Sequence, residues 1–155
     1  MAIDKVKAYF KQLGMEDRIL EFDMSSATVE LAAVAVGCEP AHIAKTLSFK
    51  SEEGCILVVT AGDTKIDNAK FKAKFHMKAK MLTPDEVDML VGHSIGGVCP
   101  FAVGEKVQVY TDVSMQRFET VYPAAGSSNS AVRLNCEELF ETSGSLEWID
   151  VCKIV

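Results

Sequence analysis

The residues best suited to chemistry in this sequence lie in a glycine-rich segment. Residues 95–101 read IGGVCPF. Two adjacent glycines let a ligand approach the backbone closely, and the proline stiffens the exit of the segment. We therefore expect a rigid loop whose peptide N–H groups bind an oxyanion, or the ribose and phosphate of a nucleotide. A plain turn is the alternative, because glycine and proline are also the commonest turn residues.

Lys45 is the second candidate for a chemical role. It lies between the apolar pair Ile43-Ala44 and a predicted strand that carries Leu47 and Phe49. A lysine in this position is expected to be half-buried, where it would hold a phosphate, a carboxylate or a substrate carbonyl. The alternative is a side chain that extends from the end of a strand into solvent.

Two further features could contribute to a site. Cys99 lies inside the glycine-rich segment, but a nucleophilic cysteine needs a base within hydrogen-bond reach. His93 is near in sequence, and a glycine turn between the two defines no geometry. A packed thiol is the more frequent role of a free cysteine. Residues 126–130, which read GSSNS, predict either a second donor-rich loop facing the first or a hairpin turn.

The charge of the chain is unevenly distributed. A formal net charge of −6 argues against DNA binding and against a large non-specific nucleic-acid surface. Residues 64–80, however, contain one acid, Asp67, and six lysines: Lys65, Lys70, Lys72, Lys74, Lys78 and Lys80. This lysine strip is either a solvated helix face or a contact surface for a polyanion.

Length and composition exclude several classes of protein. The 155 residues predict a single domain, 1–155, and a 48% hydrophobic content is ample for a core. No apolar run is long enough to span a membrane. Five cysteines with no Cys-x-x-Cys spacing favour reduced thiols and a cytoplasmic location. The three histidines have no metal-ligand spacing to any cysteine, so no metal site is predicted.

The elements that must position these residues are short. Helical periodicity predicts helices near 3–13, 28–36, 66–75, 84–91 and after Asn135, and the 84–91 helix begins with a Thr83-Pro84-Asp85-Glu86 capping sequence. Alternation and β-branched runs predict about seven strands, with candidates near 18–23, 45–50, 55–60, 77–82, 107–113, 120–124, 131–134 and 146–151. Hairpin-length connections favour an α+β fold with a mixed, mostly antiparallel, barrel-like sheet wrapped by short helices.

Five pieces of this sequence occur together in one known family. They are residues 27–37 (ATVELAA ending at Gly37), 43–47 (IAKTL), 62–63 (GD), 92–101 (GH leading into GGVCPF) and 124–127 (AAGS). From about Thr28 to Val151, the chain resembles the YbaK/prolyl-tRNA-synthetase-associated family of aminoacyl-tRNA deacylases. The Ala-Lys-Thr-Leu and Gly-Gly-x-x-Pro motifs are specific when they occur together at this separation.

The resemblance implies a fold and an activity. The family fold is a barrel-like mixed sheet wrapped by helices. The activity is that of a free-standing trans-editing hydrolase, which cleaves the ester of a mischarged aminoacyl-tRNA. The commonest substrate is tRNA(Pro) carrying alanine, cysteine or a similar small amino acid. The partners implied are the acceptor end of the aminoacyl-tRNA and an aminoacyl-tRNA synthetase, and neither a metal nor another cofactor is implied.

The resemblance also implies roles for single residues. It assigns catalysis to Lys45, Gly96 and Gly97. It assigns substrate binding to Thr46, Val98, Cys99, Pro100, Phe101, Gly126 and Ser127. We add contact with the tRNA backbone for part of the lysine strip, namely Lys65, Lys70, Lys72 and Lys74. The sequence departs from some family members at Phe22 and at the Ser-Ser-Asn-Ser stretch, so the amino acid removed stays open.

Two other classes of function remain compatible with these residues. The same pocket could bind a nucleotide or an aminoacyl-adenosine without turnover, as a module that acts with a synthetase. Alternatively, Cys99 could make the protein a thiol-dependent enzyme or a redox sensor, which would require a depressed thiol pKa.

Overall fold

The computed structural model describes residues 2–155, which form five α-helices, nine strands and three short 3₁₀ helices. The helices are α1 (Ala2–Gln12), α2 (Val29–Val36), α3 (Asn68–Phe75), α4 (Pro84–Leu90) and α5 (Cys136–Thr142). The strands are β1 (Ile19–Glu21), β2 (Ile43–Ser51), β3 (Gly54–Ala61), β4 (Thr64–Ile66), β5 (Val107–Asp112), β6 (Tyr122–Pro123), β7 (Ser130–Val132), β8 (Trp148–Ile149) and β9 (Cys152–Ile154). Within these residues no helix is both long and apolar enough to cross a membrane.

The strands form one five-stranded sheet and two ribbons. The sheet has the order β6-β2-β3-β5-β8, and the antiparallel ribbons are β1-β7 and β4-β9. An isolated bridge between Val121 and Leu134 links the β6 edge to the β1-β7 ribbon. The predicted α+β fold with a mixed sheet is confirmed.

The sheet contains more parallel pairing than the sequence predicted. The long β2-β3 hairpin is antiparallel, whereas β2-β6, β3-β5 and β5-β8 are parallel. The connection from β3 to β5 contains α3 and α4. A connection of that length can carry the chain back to the start of the sheet, and parallel pairing requires this.

Two predicted strands differ most from the structure. Residues 77–82 contribute only an isolated bridge between Phe49 and Met81, not a regular strand. Of residues 146–151 only Trp148 and Ile149 form a strand, β8, and the next strand, β9, begins at Cys152 in a separate ribbon. The two strands are separate because the Val151 amide donates to the Asp112 carboxylate at 3.0 Å, which takes this amide out of the sheet ladder. The basic helix also begins later than predicted, since Asp67 caps it after β4.

The sheet is buried on both faces. On one face Leu57 and Val59 of β3 pack in the same cluster as Phe10 of α1 and Phe101 of the glycine-rich segment. On the other face the alternate β3 residues pack against Phe71 of α3. A strand covered on both sides needs apolar residues at every position, which explains the unbroken run Cys55-Ile56-Leu57-Val58-Val59.

Helix α4 delivers the chain to the glycine-rich segment. As predicted, Thr83 and Glu86 form a capping box at its start, where each side chain bonds the backbone of the other residue. The helix ends at Leu90, and Gly92 follows in a left-handed conformation with φ of +86°. Glycine accepts this conformation at little cost, so the chain turns sharply into residues 93–101.

Candidate functional site

A cavity of about 240 Å³ opens at the edge of β2. Its walls come from the start of α2, from β2, from residues 81–82, from the glycine-rich segment and from β6 and β7. The lining side chains are mostly small and apolar or hydroxylated, among them Ala27, Thr28, Ala32, Ala44, Ala124 and Ala131. The cavity is therefore suited to a small neutral group.

The edge of β2 is paired at both ends and open between them. Strand β6 pairs with Ile43 and Ala44 at one end. At the other end the Lys50 amide donates to the Lys80 carbonyl at 2.8 Å, and the Leu82 amide donates to the Ser48 carbonyl at 3.2 Å. Neither neighbour pairs with the part of β2 between them, and the cavity lies at this opening.

Thr46 occupies the open part of the edge. Backbone groups of alternate strand residues point to the same side, so the N–H and C=O of Thr46 point outward like those of Ser48. Thr46 lines the cavity, and its hydroxyl is buried and has no hydrogen-bond partner among residues 2–155. Buried polar groups are nearly always bonded, so this site has unsatisfied capacity for a polar ligand.

Lys45 lies at the wall of the same cavity and is half-buried. Its ammonium donates a hydrogen bond to the carbonyl oxygen of Thr64. Burial lowers the pKa of Lys45 below its ordinary value, and Cys152, Asp63 and Glu30, in that order, oppose this shift. The half-buried lysine that the sequence predicted is confirmed.

The glycine pair lies where two loops meet. Gly96 lines the cavity with φ of +93°, a conformation that favours glycine. Gly97 packs directly against the second loop, because a Cβ atom built on it would lie 2.8 Å from the Ser127 amide nitrogen and 2.9 Å from the Gly126 carbonyl carbon. No side chain fits there, so glycine at position 97 permits the contact between the loops. The second loop faces the first, as one reading of the sequence predicted.

His93 was not singled out from the sequence as a site residue, and the structure gives it a defined place. Its side chain is fully buried, with 0% exposure. The Nε2 atom lies 2.7 Å from the carbonyl oxygen of Phe101 and 3.4 Å from the sulfur of Cys99. Burial lowers the pKa of His93. Its position between the helix-ending Gly92 and the glycine pair was the one available signal in the sequence.

Several residues expected to bind substrate lie elsewhere. Thr46 and Val98 line the cavity together with Lys45 and Gly96. The cavity wall does not include Gly97, Cys99, Pro100, Phe101, Gly126 or Ser127. Cys99 and Phe101 are fully buried in the core instead, because the chain turns inward after Val98. Ser127 bonds Asn129 and Ser130 within its own loop, at 2.9 and 2.6 Å.

This geometry does not support the alternative in which Cys99 is a reactive thiol. Cys99 has 0% exposure, and burial raises its pKa to about 12. A thiol of this kind stays protonated near neutral pH, and the thiolate is the nucleophilic form. Cys99 therefore acts as a packed side chain.

The lysine strip follows α3 on the other face of the sheet from the glycine-rich segment. Phe71 of α3 packs there with Phe49. Lys70 forms an ion pair with Asp150 at 3.0 Å, and Lys74 forms one with Glu147. Lys65 and Lys72 are exposed. Part of the strip is thus neutralised by acids near the C-terminus, which sequence proximity did not indicate.

Comparison with known proteins agrees with this geometry. Residues 24–142 match the model of the aminoacyl-tRNA editing domain, and the chain belongs to this family. An uncharacterized protein of Bacillus subtilis (strain 168), YwhH, is 51% identical over 154 residues, which cover 99% of this chain and 98% of that protein. The resemblance seen in the sequence is confirmed.

Two further relatives are a proline–tRNA ligase and a candidate trans-editing enzyme. The proline–tRNA ligase of Thermotoga sp. (strain RQ2) is 34% identical over 82 residues, which are 51% of this chain and only 14% of the ligase. A crystal structure of a candidate trans-editing enzyme for prolyl tRNA synthetase superimposes with a TM-score of 0.88. The sequence identity is 27%, and the match covers 98% of this chain and 97% of that one.

Proposed function

We propose that this protein is a free-standing trans-editing deacylase, which hydrolyses the ester between a wrong amino acid and tRNA. The observation that carries the proposal is the convergence of three groups on one small cavity. These are the half-buried Lys45, Gly96, and Thr46 with its buried, unpartnered hydroxyl. Membership of the editing domain family supports this class of reaction.

In the proposed reaction, a water molecule attacks the ester carbonyl carbon. The carbonyl electron pair moves to its oxygen, and peptide N–H groups of the loop around Gly96 stabilise the negative charge. Such donors contribute about 3–4 kcal/mol each in other hydrolases. The bond to the ribose oxygen then breaks, and that oxygen takes up the proton lost by the attacking group. Lys45 binds a phosphate of the acceptor end and so positions the ester in the cavity.

The cavity supports small amino acids as the group removed. Sites for drug-sized ligands usually measure about 300–1,000 Å³, and this one is smaller, at about 240 Å³. The alanine side chains in its wall leave room for a small aminoacyl group, and the wall contains no charge other than that of Lys45. Alanine or cysteine attached to tRNA(Pro) fits this description. A separate editing site is needed because a missing methylene gives a synthetase only about 10- to 200-fold discrimination.

The proposal extends to partners and location. The acceptor end of the aminoacyl-tRNA enters the cavity, and a synthetase is the natural second partner. Among the lysines of the strip, Lys65 and Lys72 are the strongest candidates for tRNA backbone contact, and Lys70 and Lys74 would have to exchange their acidic partners for phosphates. The proposed reaction takes place in the cytoplasm, where aminoacyl-tRNAs are used.

The test is deacylation of tRNA(Pro) charged with Pro, Ala, Cys, Ser or 2-aminobutyrate. We expect release of one or two small non-cognate residues, retention of Pro, and loss of activity in Lys45→Ala. Lys50→Ala is the matched control, because Lys50 lies on the same strand but pairs with Glu86 outside the cavity wall. No release from any of these tRNAs would contradict deacylation. Binding of an uncleavable 3′-aminoacyl-adenosine would then favour the module without turnover.

A further inference from the structure

Lys45 carries a charge that no carboxylate neutralises directly. Its ammonium donates to the Thr64 carbonyl, and it takes part in none of the ion pairs that the structure describes over residues 2–155. Asp63 immediately precedes Thr64, whose carbonyl accepts this hydrogen bond. Its charge acts on Lys45 through space, since it raises the pKa that burial lowers.

Asp63 is held by a different cation. Arg117 donates a hydrogen bond to each carboxylate oxygen, with Nη1 3.0 Å from Oδ2 and Nη2 2.6 Å from Oδ1. This fork-to-fork arrangement is the strongest geometry for a guanidinium and a carboxylate. Accordingly, the hydrogen bond from Arg117 is the largest cause of the lowered pKa of Asp63, and Lys45 is a smaller one.

Arg117 is itself fixed in place. Its Nε atom donates to the Ser114 carbonyl at 2.7 Å, and its guanidinium lies 4.6 Å from the ring centre of Phe118. The Asp63 carbonyl accepts from the Val155 amide at 2.8 Å, which anchors the turn that carries the acid. Both members of the ion pair therefore have partners that define their positions.

We propose that Arg117 is a positioning residue, which holds the Asp63 carboxylate away from Lys45 and leaves the Lys45 ammonium free for an anion of the substrate. This inference rests on the proposed function, in which that anion is a phosphate of the acceptor end. Without Arg117, the Asp63 side chain turns to Lys45 and forms an ion pair with it. Substrate must then displace this internal carboxylate before it binds.

The test compares the deacylation kinetics of Arg117→Met, Asp63→Asn and the double variant. Arg117→Met keeps an apolar stem of similar length, and we expect KM for the charged tRNA to rise about five-fold with kcat nearly unchanged. Asp63→Asn in the same chain removes the competing carboxylate, so KM should return to within about two-fold of the wild-type value. If Arg117 only stabilised the fold, the additional Asp63→Asn substitution would not restore KM.

A matched control is available elsewhere in the chain. Arg18, next to β1, forms the same bidentate pair with Glu138. Its two Nη atoms each lie 2.8 Å from a carboxylate oxygen of Glu138. Arg18→Met should leave KM unchanged. An Arg117→Met protein with wild-type KM, or an Asp63→Asn substitution that does not restore it, would overturn the inference, whereas loss of activity in Lys45→Ala would still support the proposed function.

A second measurement is independent of turnover and of the folding of Arg117→Met. The pH dependence of amine labelling at Lys45 reports the pKa of this lysine directly. We expect the pKa to fall in Asp63→Asn, because an acid that favours the charged form has been removed, and to rise in Arg117→Met. An unchanged labelling curve in Asp63→Asn would mean that Asp63 does not act on Lys45, and this would overturn the inference even if the protein had no deacylase activity.

Discussion

His93 joins the two ends of the glycine-rich segment, because its Nε2 atom lies 2.7 Å from the carbonyl oxygen of Phe101. The carbonyl can only accept, so Nε2 is the protonated nitrogen of the neutral ring. The Gly97 amide also bonds the Ser94 carbonyl at 3.0 Å inside this closed segment. Gly96 and Val98, which line the cavity, therefore belong to a loop whose start and finish are tied together.

The first prediction concerns this bond. His93→Leu removes the donor and leaves the Phe101 carbonyl buried without its partner, which should lower the free energy of unfolding by about 1–3 kcal/mol. The untied loop should also lower kcat for deacylation by about ten-fold, since donors act only when they are positioned. Urea unfolding and single-turnover deacylation measure the two effects. His93→Gln retains an N–H donor, and failure to recover any activity with it would contradict the role of the bond.

The second prediction concerns pH. Burial lowers the pKa of His93 in the folded protein, so the unfolded chain binds more protons than the folded one just below pH 6.5. The free energy of unfolding should therefore fall as the pH is lowered from about 7 to 5. In His93→Gln this part of the pH dependence should disappear. Chemical unfolding at several pH values checks it, and parallel curves for the two proteins would reject it.

The third prediction separates stability from function at Thr46. Thr46→Val replaces a buried, unpartnered hydroxyl with a methyl group of the same shape. Removing an unsatisfied polar group should stabilise the protein by about 1 kcal/mol, while KM for the charged tRNA rises. Thr111→Val is the control, because the Thr111 hydroxyl lies 3.0 Å from that of Ser145 and its loss should destabilise. A destabilised Thr46→Val protein with normal kinetics would show that the hydroxyl serves the fold.

The fourth prediction concerns the contact between the two loops. In Gly97→Ala the new methyl group would lie 2.8 Å from the Ser127 amide nitrogen, so the loops must separate. Such overpacking costs about 1–3 kcal/mol of stability, and the displaced loop should lose most of its deacylase activity. Thermal unfolding and kinetics measure both. A crystal structure of the variant with the loops unmoved would contradict this explanation for the glycine.

The fifth prediction concerns the lysine strip. Lys72→Glu should raise KM for tRNA and reduce the slope of log affinity against log salt by about one, if Lys72 contacts one phosphate. Lys11→Glu is the same charge change on α1, which packs on the other face of the sheet. Equal salt slopes for the two variants would remove Lys72 from the binding surface.

The sequence singled out several residues that line one cavity, but it did not predict which neighbouring residues point away from it. Lys45, Thr46, Gly96 and Val98 reach one cavity as expected, because a motif records which residue types a ligand needs. Cys99 and Phe101 share that motif yet point into the core. The direction in which each side chain of a loop points depends on packing against residues that are distant in sequence. Phe101, for example, packs edge to face against Phe10, with 4.9 Å between the ring centres.

The same limit applies to the strands and to the ion pairs. Alternation near residues 146–151 predicted one strand, and the bond between Val151 and Asp112 ends it at Ile149. That bond joins residues far apart in the chain, so no local pattern contains it. The pairing of Arg117 with Asp63 is likewise long-range.

The open stretch of β2 has a consequence for association between molecules. An unpaired strand edge is normally a template on which another chain adds a strand, and long exposed edges promote aggregation. Here β6 at one end and residues 80–82 at the other confine the free backbone to the few positions around Thr46. A strand from another molecule would collide with one of these neighbours before it could form a ladder of hydrogen bonds. The edge therefore resists fibril growth, while its polar backbone groups stay accessible to a compact ligand.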